Sequence, residues 1–144
     1  MLHAAMLCLS LNVYYEARGE NLAGQFAVAQ VTMNRAKEPE QVCNTVFAKH
    51  QFSWVESKTE KVKLKFNTVH FKFKKGQQPK DEKAWNSAVY VARKIMAKHY
   101  VYDITKGATL YHANYVKPYW SKSEKYRVVA RIGTHIFYRE INKS

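Results

Sequence analysis

Leu2, Met6, Leu9 and Val13 recur at helical spacing through MLHAAMLCLSLNVYY, which predicts that the chain opens on the first half of an amphipathic core helix. A second helix is marked from Leu22 to Lys37, with Asn21 placed to cap it. Phe26, Ala29, Met33 and Ala36 form one stripe there, and Val28 and Val31 widen it, so this helix should be central. Pro39 starts a short element, PEQVCNTVFAKH, which leads into QFSW at Gln51–Trp54. A third helix begins after Asp81, with acids in its first turn, bases in its last, and Trp85, Ala88, Val89, Ala92, Ile95 and Met96 facing the core.

Beyond Gly107 the pattern changes. ATLYHA (Ala108–Ala113), RVVARIG (Arg127–Gly133) and HIFYREI (His135–Ile141) carry β-branched and aromatic residues and read as strands. No repeat or linker interrupts the chain, so residues 1–144 form one α+β domain of helices followed by a small antiparallel sheet. Between helices two and three, KVKLKF and VHFKFK alternate strictly around Asn67-Thr68 and predict a basic β-hairpin insertion. A two-residue turn there sets Lys63 against Lys72 and Lys61 against Lys74, an unfavourable register. It also puts Lys61, Lys63, Lys65, Lys72 and Lys74 on one face, either a solvated surface or a cationic fin for an anionic envelope.

Composition narrows the partner class. A hydrophobic fraction of 47% in 144 residues is enough for one folded core and argues against disorder. The net charge of +13 points to an anionic polymer, anionic lipid or a bacterial envelope. Cys8 and Cys43 have no ligand at metal-site spacing and are read as buried thiols, with one disulfide as the alternative. The apolar start lacks the basic region and cleavage signal of a secretory peptide, and no stretch is long enough for an integral membrane segment.

The chemistry centres on NVYYEARGEN, where Glu16 and Glu20 flank Arg18 and Gly19 at the end of an apolar run. Glu16 among Val13, Tyr14, Tyr15 and Ala17 is in the surroundings that keep a carboxyl protonated near neutral pH. Glu20 reads as structural, meeting free amides at the start of the second helix or pairing with Arg18 or Arg35.

The blocks EARGE, GQFAVAQVTMNR, QFSW, GATLYHA and RIGTHIFYR, in this order from about Tyr15 to Arg139, resemble the SleB-like cell-wall hydrolases, which include spore cortex-lytic enzymes and phage endolysins. The resemblance implies a lysozyme-like helical core and a peptidoglycan glycosidase in which the first glutamate of EARGE, here Glu16, is the catalytic acid. The basic stretch around Lys58–Lys80 departs from shorter relatives, and no separate wall-binding domain accompanies the motifs.

Most glycosidases use two carboxylates. Asp81, Asp103 and Glu140 lie outside the motif blocks or at their edge, which favours a lytic transglycosylase that needs one acid/base. Gln51 and Ser53 are candidates to bind sugar hydroxyls or N-acetyl groups, with Phe52 seating their loop. Tyr111 is a candidate to orient the acid or stack on a sugar, and His112 and Asn114 complete the candidate substrate-binding set. His135 reads as a structural histidine near the cleft, and Tyr119 and Trp120 as subsite or core residues.

No metal or cofactor is expected, since His112, Asn114 and His135 lack ligand spacing. The expected partners are peptidoglycan glycan strands and the anionic envelope, not nucleic acid, with the protein acting as a monomer. The favoured setting is a phage endolysin, made in the host cytoplasm without a signal peptide and reaching the wall when the membrane opens. A hydrolytic muramidase, a zinc amidase on the peptide stem, and a non-catalytic envelope- or nucleic-acid-binding module are the alternatives.

Overall fold

A computed structural model describes residues 4–49, 51–63, 69–97 and 102–141. Among these residues, five α-helices run Ala4–Ala17 (α1), Leu22–Ala36 (α2), Val42–Phe47 (α3), Ser53–Lys58 (α4) and Glu82–Met96 (α5). Strands Thr59–Lys63 (β1) and Val69–Phe73 (β2) form a hairpin. Leu110–Ala113 (β3), Tyr126–Ile132 (β4) and His135–Glu140 (β5) form an antiparallel sheet in the order β3-β5-β4.

The helix boundaries follow local chemistry. Asn21 accepts a hydrogen bond from the Gly24 amide at 2.8 Å, and Asp81 accepts one from the Ala84 amide at 3.0 Å, so α2 and α5 start where their capping residues stand. Helix α1 is the centre of the molecule. It packs on α2, α3 and α5, and is buried without interruption from Cys8 to Tyr14. On α2, Ala27, Val28, Ala29 and Val31 are fully enclosed, while Phe26 and Met33 are only partly covered. Phe137 of β5 packs with Ala27, Val31 and Ala108, which fastens the sheet to α2.

A buried polar chain ties three helices together. Trp54 donates its indole N–H to Asn12 at 2.7 Å, Asn12 donates to Thr32 at 3.1 Å, and Thr32 donates to the Val28 carbonyl at 3.1 Å. Each of these groups has a partner, so the network specifies how α1, α2 and α4 meet. It also fixes the QFSW segment, whose Ser53 and Trp54 open α4 rather than extend a loop.

Two expectations are corrected. Cys8 and Cys43 form a disulfide between α1 and α3, with Cα atoms 5.3 Å apart, rather than remaining thiols. The hairpin register differs by three residues from that of an Asn67-Thr68 turn: Lys61 pairs with Phe71, Lys63 with Val69, and Glu60 with Lys72. An odd shift moves side chains to the opposite face. Lys61 therefore shares a face with Phe71, while Lys72 and Lys74 lie on the other, and the single lysine face is not formed. The observed pairing lets Phe71 stack on Phe47 at 4.5 Å and gives Lys72 a counter-charge, with Nζ 3.2 Å from Glu60. Lys65 and the Asn67-Thr68 turn lie outside the described residues.

Candidate active site

Glu16 sits in the last turn of α1, one turn beyond Asn12 on the same helix face. Its neighbours are anchored separately. The Tyr14 hydroxyl accepts hydrogen bonds from the Lys80 and Asp81 amides at 3.2 and 3.1 Å, which joins this turn to the start of α5. Tyr15 stacks on Trp54 at 4.8 Å and donates to the Gln77 carbonyl. The backbone that carries Glu16 is thus held from two sides.

Tyr111 of β3 donates its hydroxyl hydrogen to Glu16 Oε1. Arg35, in the last turn of α2, donates from Nε to the Thr109 carbonyl at 2.5 Å, contacts Gln51 Oε1 at 3.4 Å, and lies over the Phe52 ring at 5.1 Å. Its positive charge acts on both Glu16 and Tyr111. Burial pushes the Glu16 carboxyl above its ordinary pKa, and the Tyr111 hydrogen bond and the Arg35 charge only partly offset this. The Tyr111 phenol is pushed well up, first by burial and then by the adjacent Glu16, so it stays a donor. The group can hold a proton, release it, and stabilise the resulting carboxylate.

Of the residues expected here, Glu16, Tyr111, Gln51 and Phe52 are brought together through Arg35. Phe52 is buried beneath the guanidinium, and Ser53 is exposed at the first turn of α4. His112 is elsewhere. Side chains alternate along β3, so His112 points to the sheet face opposite Tyr111, where its ring nitrogens lie 2.7 Å from the Ala113 carbonyl and the Tyr138 hydroxyl. Trp120 packs against His112 and Tyr138 on that face, while Tyr119 is 91% exposed. Asn114 is exposed at the end of β3, its amide bonded to the Thr134 carbonyl at 2.7 Å. These positions do not join the Glu16 cluster.

Glu20 has a structural place that differs from the one expected. Its carboxylate accepts from the Thr134 amide at 2.8 Å and hydroxyl at 3.0 Å, and lies 3.4 Å from His135 Nδ1 without a hydrogen bond between them. It clamps the β4–β5 turn instead of pairing with Arg18 or Arg35. His135 in turn packs edge-on against Tyr111 at 5.0 Å. Asp103 is also committed: it accepts from the Thr105 amide and hydroxyl, the Gly107 amide and Asn34, all between 2.6 and 3.1 Å. Asn34 donates as well to the Ala108 carbonyl at 2.8 Å, which fixes the loop that launches β3. Sequence reading missed Asn34 and gave Arg35 only a pairing role. Their signal was two adjacent polar residues in the last turn of a helix rich in small and apolar residues.

A model of the cell wall hydrolase family matches residues 19–138. The chain belongs to the cell wall hydrolase family. The matched region begins just after Glu16, and the structural likeness extends further. The catalytic domain of the germination-specific lytic transglycosylase SleB from Bacillus anthracis is similar with a TM-score of 0.66 and 22% identity, over 96% of this chain and 97% of that one. The catalytic domain of the Bacillus cereus SleB protein is similar with a TM-score of 0.60 and 23% identity, over 96% and 93%. No curated protein matches the sequence. The family makes this protein an enzyme of cell-wall degradation, and the expected α+β fold, a lysozyme-like helical core with a small antiparallel sheet, is the one it adopts.

Proposed function

We propose that this family member is a peptidoglycan lytic transglycosylase with Glu16 as its single acid/base. The observation that carries the reading is a buried carboxyl with a raised pKa, bonded to Tyr111 and lying in the field of Arg35. Tyr111 occupies Oε1 and leaves Oε2 to present the proton. Glu16 transfers that proton to the glycosidic oxygen, and the N-acetylglucosamine side departs. The muramic acid C6 hydroxyl then attacks the anomeric carbon and gives its proton back to Glu16, closing a 1,6-anhydro ring. Between the two transfers Glu16 is an anion, and the Tyr111 hydroxyl and Arg35 favour that state.

The commitments of Glu20 and Asp103 support single-acid chemistry, since both carboxylates are bound into loops. The Bacillus anthracis neighbour is itself named a lytic transglycosylase, the same reaction class. A net charge of +13 suits an anionic envelope, and we take a phage endolysin released onto the wall as the setting. Digestion of purified sacculi in heavy-oxygen water tests the reaction. Transglycosylation incorporates no label into the new sugar ends; a hydrolase labels every one.

A further inference from the structure

A concavity of about 570 Å³ is lined by Lys37, Arg127, Arg139, Thr109 and Glu140 among others. Lys37 and Thr109 also line a second hollow of about 460 Å³ that contains Arg35 and Gln51. The two hollows are therefore neighbours, and the second holds Arg35, whose charge acts on Glu16.

In the first hollow cations outnumber acids. Arg127 and Arg139 stand directly opposite each other in the ladder, on one sheet face. Like charges in that position repel. Lys37 adds a third cation from the C-cap of α2. Arg139 lies across the loop before β3, where its guanidinium donates to the Lys106 carbonyl at 3.5 Å. Glu140, the one acid among the described residues of the lining, has Lys125 Nζ at 3.9 Å. Three cations thus converge on a hollow with a single acid, itself close to another lysine.

We propose that this hollow is a carboxylate subsite for the peptide stems that branch from the glycan strand. The inference rests on the peptidoglycan reading above. A strand lying along Gln51 and Arg35 carries its stems to one side, and stems are the part of that substrate that bears carboxylates. Two guanidinium groups suit that ligand, because their planar forks bind carboxylates with paired hydrogen bonds. Bound carboxylate also relieves the Arg127–Arg139 repulsion.

The test is a titration of the full chain with a synthetic stem peptide whose carboxylates are free, the same peptide amidated, and inorganic phosphate, followed by NMR and calorimetry. The free acid should bind at least about tenfold more tightly than the amide, shift the arginine side-chain signals, and weaken with salt. R127Q/R139Q should lose at least about tenfold in affinity for the acid, and R127K/R139K should lose less, because charge survives without the fork. R139Q alone serves the same purpose if the double variant does not fold. Equal binding of acid and amide, unchanged binding by R127Q/R139Q or by R139Q, or phosphate binding tighter than the acid peptide would each overturn the proposal. The last result would indicate an anionic polymer instead. Wild type that cleaves glycan but does not bind the peptide removes the subsite alone; wild type that binds the peptide but does not cleave glycan removes the transglycosylase reading alone.

Discussion

Tyr111 reaches across 95 positions of chain to donate its hydroxyl hydrogen to Glu16. This one contact joins the end of the central helix to the first strand of the sheet. It also engages one of the two carboxyl oxygens. Because the hydrogen bond favours the carboxylate, it lowers a pKa that burial raises. Tyr111→Phe should therefore move the high-pH limb of kcat further up, since Glu16 keeps its proton longer without the donor. It should also lower kcat by about tenfold, because the acid loses its orientation. A pH–rate profile of both proteins checks the two effects; an unshifted limb contradicts the assignment.

Burial of Glu16 has a thermodynamic counterpart. Its folded pKa is raised above the unfolded value, so the folded state holds the proton more tightly. Stability from this group is fully present below the unfolded carboxyl pKa and is lost as pH rises through the folded one. Denaturant unfolding of wild type and Glu16→Gln should show wild type losing ground as pH rises above about 4 and levelling off once the folded carboxyl has ionised. Parallel curves across that window would mean that Glu16 is not held in a desolvated site.

Much of the framework was legible because its signals are local. Asn21 and Asp81 cap the helices they precede, and EARGE marks the end of α1, since each depends on a few adjacent residues. What was not legible depends on distant partners. The hairpin register is set by Phe71 finding Phe47 and Lys72 finding Glu60, which alternation alone does not reveal. The Cys8–Cys43 pairing follows from how α1 meets α3. Glu20 looked like a helix-start residue because its true partner, Thr134, lies 114 positions away. Tyr111 and His112 were taken together as candidates, yet strand alternation sends them to opposite faces.

The Glu20 clamp can be tested through Gly133. Gly133 has φ 58°, and a β-carbon there would stand 2.5 Å from Glu20 Oε1. Gly133→Ala should cost about 2 kcal/mol, part from the left-handed backbone and part from this clash. In a Glu20→Ala background the second part disappears, and the penalty should fall to about 1 kcal/mol. Additive penalties in the double-mutant cycle would show that the two positions are not coupled.

The disulfide closes a loop with a sequence separation of 35 and braces the helix that carries Glu16. Replacing both cysteines by serine should destabilise the protein by about 3 kcal/mol, measured by denaturant unfolding. Reduction of the wild type should give a similar loss, and the serine variant should not respond to reductant. A reductant-insensitive wild type would contradict the bond.

The most direct measurement is mass spectrometry of the fragments that wild type and Glu16→Gln release from purified sacculi. Glutamine keeps the shape of Glu16 and removes its proton. Wild type should release fragments ending in 1,6-anhydro-muramic acid, and Glu16→Gln should release at least about a hundredfold less while keeping its fold. Reducing sugar ends would indicate a hydrolase, and free stem peptides would indicate an amidase. Undiminished release by a folded Glu16→Gln would contradict the central assignment outright.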